Sequence, residues 1–335
     1  MSTPSAHPMR TALLLVAAFG SGVLVALQSR INGQLGLQLG DGFVAAFISF
    51  GSGFVILVIA SVFWRPGRRG LGQVVAAVRE RRIPRWYLTG GAAGAFFVLT
   101  QSLVVGLIGV ALFTVGVVAG QTTSSLLIDR RGIGTLPSRA ISWPRLVGAA
   151  LAVVAVILAA SPEVRGALPL WFLVAPFLVG AGVGWQGAAN SQVRGIAGSA
   201  FTATFINFAL GVLVLMIAAV IHLSIAGWPT HLPTTPWLYL GGVIGCVFIG
   251  AQAVIVRRTG VLVMGLAVLS GQLVTAVLFD VIAPVQAHAI APITIVGAAL
   301  TLIAVLIAAI PMRRQMSAPA QASSGANPSA SEFMQ

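Results

Sequence analysis

Residues 119–129 read AGQTTSSLLID, and residues 270–280, 151 positions later, read SGQLVTAVLFD. Gly120, Gln121 and Asp129 fall on Gly271, Gln272 and Asp280 without a gap. Aliphatic matches between two apolar stretches carry little weight, because such stretches draw on few residue types. Glycine, glutamine and aspartate in register are another matter. Working outward, the same shift carries Trp86, Gly90, Gly91, Gly94 and Gln101 onto Trp237, Gly241, Gly242, Gly245 and Gln252. A shift of 158 carries Gln28, Asn32 and Gln34 onto Gln186, Asn190 and Gln192, and Phe43, Phe47, Phe50 and Gly53 onto Phe201, Phe205, Phe208 and Gly211. Val147 to Leu151 repeats as Val296 to Leu300. The chain is an internal duplication.

Each copy is too apolar for water. The 335 residues are 58% hydrophobic and 7% charged, with a mean hydropathy of +1.00. A soluble domain carries about 25% charged residues. Crossing a bilayer as a helix takes about 20 mostly apolar residues. Ten segments meet that need: 11–29, 42–63, 86–107, 109–128, 143–161, 169–189, 200–223, 237–256, 260–280 and 291–310. The first is followed by Leu27-Gln28-Ser29-Arg30 rather than a small-residue cleavage site, so it reads as a span and not as a signal peptide. The expected class is an all-α integral membrane protein, with a first five-helix repeat at 11–161 and a second at 169–310. Residues 1–10 form a short N-terminus, and residues 315–335, rich in Ala, Ser, Pro and Gly, read as a disordered tail.

Charge placement orients the spans. The net charge is +13, and every basic residue is Arg. These arginines sit between apolar runs and are not interleaved with aromatics, which argues against nucleic-acid binding. With the N-terminus in the cytoplasm, all but Arg30 and Arg165 of the 19 fall on the cytoplasmic side, a strong positive-inside bias. Both termini are then cytoplasmic. Five spans per copy is an odd number, so the second copy inserts upside down relative to the first. Two inverted five-helix repeats are the architecture of many secondary transporters, with the substrate site near the midplane between the repeats. Without Lys there is no phosphate-binding loop of the usual kind, and no nucleophile–base set can be assembled, so neither an ATP-driven pump nor an enzyme is expected. His222, His231 and His288 are scattered, Cys246 is the single cysteine, and no metal or cofactor is expected.

The polar residues inside the spans are the candidate site. Gln28 and Asn32 share a helix face, as do their counterparts Gln186 and Asn190. Gln101 and Gln252 join them as an outer and an inner cluster, and Gln121 and Gln272 lie deeper as a central pair. These eight amides, with Asn207 and with Trp185 as a stacking surface, are the expected lining of a substrate path. The alternative for each amide is a hydrogen bond gluing helices together, worth about 0.6–2 kcal/mol, and for Trp185 it is packing. Asp129 and Asp280, at span ends, are candidates for proton coupling, against the plainer role of local ion pairing. Asp41 and its counterpart Ser199 stand where they would cap a helix. No carboxylate lies in the middle of a span, which favours a neutral or zwitterionic substrate, or uncoupled transport, over strict cation/proton exchange.

Leu27-Gln28-x3-Asn32-x2-Leu35, Ala45-Ala46-Phe47-Ile48-Ser49-Phe50-x2-Gly53 and Gly120-Gln121-x5-Ile128-Asp129-x2-Gly132 resemble the YdcZ-type inner-membrane proteins of the drug/metabolite transporter superfamily. The second copy departs from the pattern: Asn207 replaces Ser49, Ala209-Leu210 replace Gly51-Ser52, and no Gly closes the Asp280 motif. The resemblance implies a ten-helix inner-membrane carrier exporting small metabolites or drugs, with a small-molecule substrate, the lipid bilayer, and a coupling proton or ion as its partners. A fused pair of repeats can work as a monomer, and a homodimer is the alternative. The glutamate that small multidrug-resistance relatives carry in their first helix has no equivalent in residues 11–29, which counts against drug/proton antiport. A passive facilitator and a non-transporting assembly or receptor protein are the competing classes.

Overall fold

The computed structural model describes residues 7–131, 142–165, 169, 171–259, 261–284 and 290–310, and within them the chain is helical. Eleven α-helices follow in order: α1 (His7–Leu39), α2 (Gly42–Phe63), α3 (Arg65–Arg79), α4 (Gly90–Thr100), α5 (Gly106–Arg131), α6 (Trp143–Arg165), α7 (Trp171–Ala197), α8 (Ala200–Ala226), α9 (Gly241–Thr259), α10 (Val261–Ile282) and α11 (Pro292–Ala308). Six helical stretches are long and apolar enough to cross a membrane, and α9 and α11 contain shorter apolar helices. One of the six, Arg85–Ile128, holds two of the ten expected segments. There α4 runs through a single π-helical turn, Gln101–Val105, into α5, which breaks at Gly109. Residues 171–189 of the expected segment 169–189 lie in α7. The tail 315–335 lies outside the described residues.

Polar residues set the helix starts. Asp41 holds extended backbone and accepts hydrogen bonds from the N–H groups of Phe43 (2.9 Å) and Val44 (3.0 Å), capping α2. Ser199 does the same for α8 through the N–H of Thr202. Such caps are worth about 1 kcal/mol each. Helix α3 departs from the sequence expectation, which treated residues 64–85 as a connection. It is too polar to span, yet its apolar positions recur at helical spacing. Gly67, Gly70, Val74 and Ala77 are buried, while Arg65, Arg68, Arg69 and Arg79 face outward.

Residues 108–120 of α5 are buried without interruption, so α5 is the central helix and its run is apolar all round. It lies against α7, α6 and α10, while α1 lies against α10 and α9. Close approach at two of these contacts depends on glycine. A Cβ on Gly120 or Gly180 would overlap a carbonyl of the facing helix, that of Phe177 and Val117 respectively. The same holds where α1 meets α10, for Gly22 against Val268 and Gly271 against Phe19. Gly22 corresponds to Gly180, and Gly120 to Gly271, under the two sequence shifts. Small residues at such contacts are how membrane helices gain van der Waals packing.

Candidate substrate cavity

Between α1, α2, α4, α5, α7, α8, α9 and α10 lies a cavity of about 430 Å³. Gln28, Gln121, Gln186, Asn190, Asn207, Gln252 and Gln272 line it. Seven of the ten residues proposed from sequence are thus brought to one space, from six different helices. Phe50, Phe97, Phe208 and Phe248 supply flat apolar wall, and Ser49 and Thr204 add hydroxyls. Among the described residues that line it, none is ionisable.

Glycines make the room. A Cβ on Gly94 would meet Gln186 Nε2 at 2.6 Å, and one on Gly245 would meet Gln28 Nε2 at 2.7 Å. The two glycine-bearing helices, α4 and α9, are therefore cut away where an amide crosses them. Gln28 Nε2 donates to the carbonyl of Gly241 at 2.7 Å, and Gln186 Nε2 donates to Asn207 Oδ1 at 3.0 Å. The side chains of Gln121, Asn190, Gln252 and Gln272 make no hydrogen bond among the described residues, and Nε2 of Gln272 is fully buried without a partner.

Three sequence candidates lie elsewhere. Asn32 Nδ2 donates to Gln101 Oε1 at 2.8 Å, and Gln101 Nε2 donates to Ser29 Oγ at 2.7 Å. All three residues are 0% exposed. In this arrangement the bonds glue α1 to the π turn, and none of the three residues lines the cavity. Trp185 also points away: its Nε1 donates to Thr89 Oγ1 at 3.3 Å and its ring stacks on Trp86 with centroids 4.8 Å apart. One position along a helix rotates a side chain by about 100°, which separates Trp185 from the cavity that Gln186 lines.

Asp280 is a structural cap. Its carboxylate accepts from the N–H groups of Val110 (3.1 Å) and Ala111 (2.7 Å), beyond the break at Gly109, where φ is +84°. Arg30 Nη1 stands 3.6 Å from Oδ1. These partners fit the ion-pairing alternative. The side chain of Asp129 lies outside the described residues. Ser49 and the phenylalanines were missed as site residues. The signals were present, since Phe50 matches Phe208 and Asn207 stands at the position of Ser49, but they read as marks of duplication only.

The two groups of amides predict opposite mutant behaviour. Gln101→Leu strands Asn32 Nδ2 in a dry interior, at about 1–3 kcal/mol for the unsatisfied group, while the Ser29 hydroxyl keeps its bond to the carbonyl of Val25. It is expected to lower the thermal midpoint of the detergent-purified protein. Gln252→Leu removes no intramolecular bond and is expected to leave the midpoint within experimental error. Equal melting of Gln101→Leu and the parent would contradict the glue assignment.

Helices long and apolar enough to span a bilayer, packed around a cavity that carboxamides line, define a polytopic membrane protein. A family model described as "Putative inner membrane exporter, YdcZ" matches residues 13–158 and 170–307. The chain belongs to this family, within which it is a multi-pass membrane protein of an exporter class rather than of an enzyme class. A search of curated proteins returns no significant match. A solved structure titled "Crystal structure of protein" matches with a TM-score of 0.52 at 18% identity, over 90% of this chain and 96% of the other. At that identity the likeness is one of fold.

Proposed function

We propose that the chain is a secondary carrier that moves a small solute out of the cell by alternating access between two inverted five-helix repeats, 11–161 and 169–310. Ten spans then place both termini in the cytoplasm. The observation that carries this reading is that amides equivalent in sequence sit in unequal surroundings. Asn32 and Gln101 are locked together and dry, whereas their counterparts Asn190 and Gln252 are half-buried, face the cavity, and share no hydrogen bond. Two copies of one design, one clamped and one released, are what a single state of an alternating pair looks like. Exchanging the roles of the copies closes Asn190 on Gln252 and releases Asn32 from Gln101. The two arrangements differ little in energy because they use the same kinds of contact. With the N-terminus inside, the present state is closed on the outside and open toward the cytoplasm.

Cysteine pairs test this. On a Cys246→Ala background, one variant carries Asn32→Cys with Gln101→Cys and another Asn190→Cys with Gln252→Cys. Each pair is expected to cross-link in membranes with a short bifunctional reagent, and each cross-link is expected to stop flux. In a four-cysteine variant the two cross-links are expected to exclude each other within one molecule. Abundant doubly cross-linked protein would overturn the proposal.

A further inference from the structure

We infer that the cavity is built for an uncharged, planar heteroaromatic solute of nucleobase or nucleoside size, its faces against phenyl rings and its edges against the carboxamides of Gln121 and Gln272. This rests on the carrier reading above and names the substrate class. Charge comes first. A net-charged solute, or either end of a zwitterion, loses its hydration on entering a low-dielectric space and needs an opposite charge there. Among the described residues that line the cavity none offers one, and Asp280 is already committed to Val110, Ala111 and Arg30.

The wall also distinguishes among uncharged solutes. A carboxamide presents a donor and an acceptor side by side, and this geometry matches the neighbouring donor and acceptor on a nucleobase edge. Gln121 and Gln272 each line the cavity with that pair unused, and Nε2 of Gln272, buried behind the cavity wall, is an orphaned donor that a rotation of its amide would bring against an acceptor on a ligand. Most of the remaining wall is apolar, and Phe50 and Phe208, one from each copy, stack with centroids 4.5 Å apart. A polyol such as a hexose has hydroxyls around its rim and would leave several against phenyl rings. A flat ring with apolar faces and a polar edge leaves none. Base–aromatic stacking is worth about 1–3 kcal/mol, and a volume of about 430 Å³ lies in the range of small-molecule sites.

The test uses the full chain purified in detergent, melted with adenine, uracil, adenosine, uridine, phenylalanine, glucose or tetraphenylphosphonium, followed by counterflow in proteoliposomes. At least one of the bases or nucleosides is expected to raise the midpoint and to support counterflow, and the other three compounds are expected to do neither. Gln121→Leu and Gln272→Leu are expected to melt near the parent temperature without ligand and to bind the base roughly 10–100-fold more weakly, the loss of one bidentate contact. A shift and counterflow with phenylalanine, glucose or the phosphonium alone would overturn the substrate class and leave the carrier standing. Binding of a base without counterflow or flux would keep the class and remove the carrier. No shift with any base or nucleoside at millimolar concentration, or undiminished binding by both leucine variants, would overturn the inference.

Discussion

Asp280→Ala is expected to cost about 3–5 kcal/mol, the range for breaking a buried ion pair by removing one partner. The measurement is the thermal midpoint of the purified protein, together with its monodisperse yield. Asp280 is 6% exposed, and the side chains of the Arg30–Asp280 pair are 12% and 8% exposed. Among the described residues, the substitution leaves Arg30 with only its bond to the carbonyl of Ala283, and it uncaps the segment of α5 that restarts at Val110. Both freed N–H groups lie in the interior, where each unsatisfied donor costs about 1–3 kcal/mol. Asp280→Asn retains one carbonyl oxygen and is expected to fall between the parent and the alanine variant. The coupling role considered from sequence makes the opposite forecast, a stable Asp280→Asn protein whose flux no longer depends on pH. That pattern would reject the capping role.

Gly180→Val and Gly22→Val are expected to give no monodisperse protein. The two sites are equivalent positions in the two copies, and at each a Cβ would fall on a carbonyl of the facing helix, Val117 or Val268. Backbone cannot rotate aside as a long side chain can, so the helices must separate along a packed contact. Overpacking costs about 1–3 kcal/mol even where side chains absorb it, and alanine at these sites is expected to reach that level. Gly51 is the control, since nothing lies within 4 Å of a Cβ there. Gly51→Ala is expected to be neutral or to stabilise by about 0.5–1 kcal/mol, from helix propensity. If Gly180→Ala melted no lower than Gly51→Ala, the close-approach reading of α5 against α7 would be wrong.

Hydropathy located every described helix long enough to cross the membrane, because a charge-free run of about 20 residues has few other uses. It passed over α3, whose arginines mask a buried strip of Gly67, Gly70, Val74 and Ala77. For that helix the 3.6-residue period is the informative quantity, not the mean. Hydropathy separated 86–107 from 109–128 at the point where the helix does break, Gly109, but gave no sign of the π turn at Gln101–Val105. A turn with one extra residue changes no composition and leaves no mark on an average.

The amides show where sequence reading stops. Residue type and repetition were enough to single out Gln28, Gln121, Gln186, Asn190, Gln252 and Gln272, since a polar amide in lipid needs a partner or a cavity. They could not divide Gln252 from Gln101, which the duplication makes equivalent. Nor could they separate Trp185 from Gln186, which are neighbours in the chain.

The sequence by itself determined that this chain is a duplicated, lipid-embedded helical protein with carboxamides as its recurring polar element. Those conclusions rest on composition and on spacing along one strand of peptide. Only the tertiary structure decided which amides are tied to one another and which face open space, and that Asp280 serves the broken helix α5. Partner choice depends on helix rotation and on how closely glycines let two backbones approach, and neither quantity is local in sequence.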